Sequence, residues 1–203
     1  MVGWLAVFFG YGSMAETVYH VSAAGTHVAP FASLETGATN VQAAVNLTRD
    51  GDTVQLAPGI YSIPSAITIT NEIRLVGQSN AALSIVDGGD VNRCLFLSDV
   101  SCVIEGITIR NGNAGAGDGG GVYCPGTTPM ISNCVVRGSS AEYGGGVYGC
   151  QVVQSTLEDN YAVSAGGGAS ASLLRGCLAV SYTHLRAHET VVRISYAVFC
   201  LKR

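Results

Sequence analysis

A glycine triplet followed by an apolar residue and a tyrosine returns along the second half of this chain. It reads Gly119-Gly120-Gly121-Val122-Tyr123, then Gly144-Gly145-Gly146-Val147-Tyr148, then a weaker Gly166-Gly167-Gly168-Ala169. The starts lie 25 and 22 residues apart, an internal period in the range of solenoids. Strand-like segments between the triplets align column by column: Ile107-Thr108-Ile109-Arg110, Cys134-Val135-Val136-Arg137, Ser155-Thr156-Leu157-Glu158 and Cys177-Leu178-Ala179-Val180. One unit is therefore one coil.

A short strand, a turn, a glycine-lined corner and a second short strand fill such a unit as a parallel β-helix does. Leucine-rich repeats share the length but need several leucines per unit, which these units lack. Side chains alternate between strand faces, so the first and third positions of each aligned segment are expected to point inward. That column holds Ile107, Cys134, Ser155 and Cys177 above Ile109, Val136, Leu157 and Ala179. The outward column holds Thr108, Val135, Thr156 and Leu178 above Arg110, Arg137, Glu158 and Val180. The fold class is all-β, a solenoid.

The chain of 203 residues is 48% hydrophobic, enough for one substantial core. Six arginines face thirteen acidic residues over residues 1–180, and the lone lysine is Lys202. With no basic patch, nucleic acid is excluded as the expected partner. Residues 1–15 carry an apolar run, Val2 to Phe9, then the small-x-small pattern Ser13-Met14-Ala15, which reads as a signal peptide despite the missing basic start. A buried first strand is the alternative. No later segment is long and apolar enough for a membrane helix, so no transmembrane segment is expected.

The seven cysteines follow no metal-ligand spacing, and no metal or cofactor is expected. Cys134 and Cys177 share a column two rungs apart, about 9.5 Å at the usual strand spacing, too far for a bridge, and read as core residues. Cys124 and Cys150 lie near equivalent corners of adjacent rungs. Whether they pair depends on Cβ directions that a sequence does not carry.

In chain order, a first strand over Thr17–Val21 precedes one helix, expected over residues 39–50. Thr39 or Asn40 caps it, Val41, Ala44, Val45 and Thr48 fall at helical spacing, and Gly51 stands where a glycine ends a helix. Its expected task is to cover the open end of the first coil. Short strands then follow at 52–56, 60–61, 67–69, 73–77, 83–86 and 94–97.

The order Tyr19-His20-Val21-Ser22, Val41-Gln42-Ala43-Ala44-Val45, Gly51-Asp52-Thr53-Val54, Ala57-Pro58-Gly59-Ile60-Tyr61, Ile73-Arg74-Leu75-Val76-Gly77 and Gly106-Ile107-Thr108-Ile109-Arg110-Asn111-Gly112 resembles the right-handed parallel β-helix proteins of the pectin-lyase-like superfamily. The resemblance covers residues 17–180. The Gly-Gly-Gly-Val-Tyr rungs, with Asp159-Asn160 after a strand, are also similar to the repeats of bacterial polymorphic outer-membrane proteins. It implies a right-handed parallel β-helix with a short N-terminal capping α-helix over 16–180, of which this would be an N-terminal fragment. The stretch Val180 to Thr190 resembles a translated sequencing adapter, so residues 181–203, with His184, His188 and Glu189, are set aside as a non-native tail.

The resemblance leaves activity open, because superfamily members include lyases, hydrolases, adhesins and secreted surface domains. A lyase needs a basic residue as proton acceptor and a cation at the uronate. Arg110 and Arg137 are the outward candidates, but a cross-rung pair of Arg137 with Glu158, worth at most about 1 kcal/mol, is the plainer account. A hydrolase needs two carboxylates on neighbouring rungs. Asp118, Glu142 and Asp159 are available, although single acids at turns usually cap backbone donors. Asp87-Gly88-Gly89-Asp90 reads as a turn, not a calcium loop, and His20 and His27 as ordinary surface residues. Tyr123, Tyr148 and Tyr143 are the candidates for stacking on sugars, with rung-to-rung aromatic packing the plainer account. Catalytic and binding residues thus stay unassigned at this level. The expected function is a secreted or cell-surface, adhesin-like module that contacts polysaccharide or surface glycan without catalysis; the alternative is a polysaccharide lyase or glycoside hydrolase.

Overall fold

A computed structural model describes residues 15–98, 100–126 and 129–180, together with the strand segments 183–184, 193–195 and 198–199. Among these residues the chain winds through parallel strands on three long faces. The first face joins Val18–Val21, Thr53–Leu56, Arg74–Gly77, Val103–Glu105, Met130–Ser132, Gln151–Val153, Leu173–Arg175 and Arg193–Ser195 in that order. The second runs Gly59–Ser62, Ser84–Asp87, Thr108–Arg110, Val135–Arg137, Thr156–Glu158, Leu178–Val180 and Val198–Phe199. The third, carrying the tyrosines, runs Ile67–Ile69, Leu95–Leu97, Val122–Tyr123, Val147–Tyr148 and Ala169–Ser170. A smaller sheet of Ser140–Tyr143, Tyr161–Ala165 and Thr183–His184 lies between the second and third faces along the chain. The fold is a parallel β-helix.

The register is the one the repeat predicts. Val136 pairs with Ile109 on one side and Leu157 on the other, Leu157 pairs with Ala179, and all four are buried. Leu75, Ile104, Ile131, Val152 and Leu174 form the matching inner column of the first face, and Leu95, Val122, Val147 and Ala169 that of the third. Each coil must turn between the first two faces, and Gly106, Asn133, Gln154 and Gly176 do so at positive φ. Thr108 departs from the expected outward, exposed pattern. It is 4% exposed because its hydroxyl donates to the Ala81 carbonyl at 2.7 Å, under the loop that follows Gly77.

The glycine triplets stack on one another through their backbones. The N–H groups of Gly120 and Gly121 donate to the carbonyls of Gly144 and Gly145, and those of Gly145 and Gly146 to Gly166 and Gly167. Gly144 opens its triplet at φ +61°, in the left-handed region that suits glycine. A Cβ on Gly145 would press into the Tyr161 carbonyl.

The helix is shorter than the sequence predicts, Val41–Val45 in place of 39–50. Asn40 caps it as expected, its side-chain oxygen accepting the Ala43 N–H at 2.8 Å. Beyond Asn46 the N–H groups of Leu47 and Thr48 close turns onto Ala44 and Val45, and the Asp52 carboxylate accepts the N–H groups of Arg49 and Thr17. These contacts bend the chain into the next strand, so Gly51, at φ +88°, serves that turn and not a helix end. Val41, Ala44 and Val45 join the core, while the Gln42 amide accepts from the Thr68 N–H at 2.7 Å and donates to its carbonyl at 3.1 Å. Gln42 thus occupies the open edge of the third face, satisfying groups that a further rung would otherwise pair.

The expected export segment lies outside the described residues except for Ala15. Within residues 181–203, the three described strands pair in parallel with the preceding rung.

Candidate functional site

The third face carries an aromatic ladder. In Leu95-Phe96, Val122-Tyr123 and Val147-Tyr148 the first residue points inward and the second outward, and strand pairing places Phe96, Tyr123 and Tyr148 side by side. Ring centroids are 5.7 Å apart for Phe96 and Tyr123, and 5.5 Å for Tyr123 and Tyr148, with interplanar angles of 46° and 49°. All three rings are half-buried, so they pack on one another and still present a surface. Rung-to-rung packing, the plainer account, therefore holds without removing the rings from solvent. Tyr143 stands off the ladder, 42% exposed.

Arg93 braces this face. Its Nε donates to the Gly119 carbonyl at 2.9 Å and Nη2 to the Asp118 carbonyl at 2.7 Å, while the guanidinium lies over the Tyr123 ring, 4.7 Å from its centroid. Arg93 aligns with Gly120 of the next rung, because Leu95 pairs with Val122. Burial lowers the pKa of Arg93, and the nearby Tyr123 and Asp118 oppose that shift.

Asp118 lies near the ladder, where its charge acts on Tyr148, and Glu142 lies near Asp118. Asp118 bridges to Tyr143 on the neighbouring rung, and Glu142 accepts a hydrogen bond from the Ser164 hydroxyl. The register shifts between Ala141 and Tyr143, where Tyr161–Ala165 carries one residue more, placing Glu142 at this irregularity. Burial raises the Asp118 pKa, Glu142 adds to the rise, and Arg93 works against it. Tyr148 is raised by burial first, then by Asp118, Tyr123 and Tyr143. The expected Asp118–Glu142 neighbours thus come together, whereas Asp159 occupies a left-handed turn at φ +54° and is not among the charges acting on Asp118.

The other sequence candidates lie elsewhere. Arg110 and Arg137 are register partners on adjacent rungs, as expected, but the Arg110 guanidinium is taken by Asp87 of the preceding rung at 2.7 Å. The expected Arg137–Glu158 ion pair does not form, although the two residues are register partners. Asp87 is the better anchor because the Gly89 N–H and the Asn111 amide already hold its carboxylate, while Arg137 remains exposed to water. The Asp87–Asp90 stretch is accordingly a turn. The backbone N–H and hydroxyl of Thr39 hold the His27 Nδ1 at 3.0 and 2.9 Å, and His20 lies on the first strand. Cys124 and Cys150 form a disulfide, and Cys134 and Cys177 are free and buried.

Phe96 and Arg93 escaped the sequence reading. Leu95-Phe96 repeats the apolar-aromatic step of the later rungs, but Asn92-Arg93-Cys94 stands in place of a glycine triplet and hides the alignment.

As a sequence the chain matches no protein-family profile, and no curated protein matches it. As a structure it is similar to pectate lyase Pel9A, at 17% identity and a TM-score of 0.61, over 84% of this chain and 49% of that one. A pectin methylesterase, PemA from Erwinia chrysanthemi, aligns at 12% identity and a TM-score of 0.47, over 83% of this chain and 56% of that one. The chain thus spans about half the length of the pectate lyase it matches. The first likeness shows the fold, a parallel β-helix.

Proposed function

We propose that this chain is a carbohydrate-contacting, adhesin-like module of an extracellular or cell-surface β-helix protein. The observation that carries the reading is the half-buried ladder Phe96–Tyr123–Tyr148, with Asp118 near Tyr148 and Glu142 near Asp118. Aromatic faces take the C–H side of a sugar ring, and carboxylates beside them accept its hydroxyls. The apolar run in residues 1–15 and the Cys124–Cys150 disulfide support export to an oxidising compartment. Residues 16–180 are the β-helix domain in this reading, and 181–203 the adapter-derived tail.

The test is binding of the full chain to a glycan array, repeated with Tyr123→Ala and Tyr148→Ala. Loss of about 1 kcal/mol per ring predicts at least a fivefold weakening, with thermal melts showing that the variants remain folded. Absence of any glycan ligand, or unchanged binding by both folded variants, would sink the reading.

A second reading is favoured by one observation, the placing of Asp118 and Glu142 as neighbours on adjacent rungs, two carboxyl groups of the kind that hydrolysis of a glycosidic bond requires, with burial acting first to raise the Asp118 pKa. It points to a glycoside hydrolase ahead of a lyase, since Arg110, engaged by Asp87, and Arg137 both lie on strands of the second face. Release of reducing ends from a polysaccharide, abolished by Asp118→Asn and by Glu142→Gln, would establish it.

A further inference from the structure

We infer that Arg93 is a positioning residue for ligand binding: it fixes Tyr123, the middle ring of the ladder, in the orientation that receives a sugar. The inference rests on the carbohydrate-binding reading above. Register places Arg93 opposite Gly120, and Gly120 opposite Gly145. On the later rungs a backbone group at this place makes the cross-rung bond, the Gly120 N–H to the Gly144 carbonyl at 3.3 Å and the Gly145 N–H to the Gly166 carbonyl at 3.2 Å. One rung earlier the corresponding carbonyl, that of Gly119, accepts from the Arg93 Nε at 2.9 Å, so a side chain does there what backbone does elsewhere. The adjacent Asp118 carbonyl accepts from Nη2 at 2.7 Å and from Nε at 3.1 Å. Two backbone carbonyls of the next rung thus hold one planar guanidinium, whose rigid fork leaves it little freedom to turn.

The guanidinium so held lies over Tyr123, 4.7 Å from the ring centroid. An outward tyrosine on a strand otherwise keeps its side-chain torsions free, and ordering them when a ligand arrives costs affinity. Contact with a cation that is itself anchored orders the ring beforehand. Tyr123 is also the ring with a neighbour on each side, Phe96 at 5.7 Å and Tyr148 at 5.5 Å, so its orientation sets how the three rings present themselves together. Gly120, at the same place one rung on, has no side chain to lay over Tyr148, and the device therefore acts on the middle ring.

Calorimetric titration of the full chain with cellohexaose, xylohexaose, mannohexaose and hexagalacturonate identifies the tightest of these ligands. Its affinity is then measured through a double-mutant cycle of Arg93→Ala and Tyr123→Ala. Each single variant is expected to bind about fivefold more weakly than wild type, and the double variant no more weakly than Tyr123→Ala, because Arg93 acts through that ring. The titrations are run well below every variant's melting temperature, where a merely structural role for Arg93 leaves affinity unchanged. With isotope-labelled tyrosine rings, the NMR signal missing from Tyr123→Ala should move in Arg93→Ala. If Arg93→Ala is too unstable to titrate, Arg93→Lys replaces it under the same criteria, since lysine keeps the cation without the fork. An unmoved Tyr123 signal, wild-type affinity in either single variant, or losses that multiply in the double variant would overturn the inference while carbohydrate binding stands. If none of the hexaoses binds, the binding reading falls and this inference with it.

Discussion

Cys124 and Cys150 are joined across adjacent rungs with their Cα atoms 5.7 Å apart, immediately after Tyr123 and two residues after Tyr148. The bridge closes a loop with a sequence separation of 26. In the chain-entropy picture that constraint contributes about 3.5 kcal/mol. Cys124→Ser/Cys150→Ser is therefore expected to lower the unfolding free energy by roughly that amount, and treatment of the wild-type chain with reductant to approach the same value. Denaturant unfolding curves with and without dithiothreitol check this; equal midpoints would refute it.

Gly145→Ala tests the close stacking of the triplets. The added Cβ meets the carbonyls of Tyr161 and Gly167, both backbone atoms of the neighbouring rung that cannot swing aside. Overpacking of this kind costs about 3 kcal/mol or more. Gly115→Ala serves as the comparison, since its Cβ meets open space and the cost there is the left-handed φ of +57°, about 1 kcal/mol. Thermal melts should place Gly145→Ala well below Gly115→Ala.

Asn160 is fully buried, accepts the Ser139 N–H at 3.0 Å and donates to the Val136 carbonyl at 2.9 Å. Removing the amide leaves a buried donor and a buried acceptor without partners. Asn160→Ala is expected to destabilise the fold by about 2–4 kcal/mol. A loss under about 0.5 kcal/mol in urea unfolding would mean that water replaces the amide.

Asp87 gives a pH dependence of definite sign. Burial acts to raise its pKa, but the Gly89 N–H, the side chains of Arg110 and Asn111, and the Arg110 charge together lower it below the ordinary value of 3.8. Ionised Asp87 thus stabilises the fold at pH values above 3.8, and this contribution is lost as pH falls through the folded-state value. Asp87→Asn should cost about 1 kcal/mol at neutral pH, with the gap to wild type closing in strong acid. Asp118 has the opposite sign: its raised pKa gives a contribution present below the ordinary value and lost as pH rises through the folded one. Unfolding midpoints of wild type and each Asp→Asn variant across pH 2–7 separate the two.

The repeat period alone determined which residues share a rung and which face inward. Val136 over Leu157, the buried glycine corners and the outward tyrosines all follow from spacing, because a strand alternates its side chains whatever its neighbours. The tertiary structure decided how side chains meet across rungs. Cys124 bonds Cys150 because their Cα atoms come within bridging distance, Arg110 finds Asp87 while Arg137 stays free of Glu158, and Arg93 folds onto Tyr123. Partners two dozen residues apart are set by corner geometry and rotamer, and neither leaves a periodic trace in the sequence. The helix ends early for a related reason: local propensity allows 39–50, but the Asp52 carboxylate and the edge of the first coil claim the chain beyond Asn46.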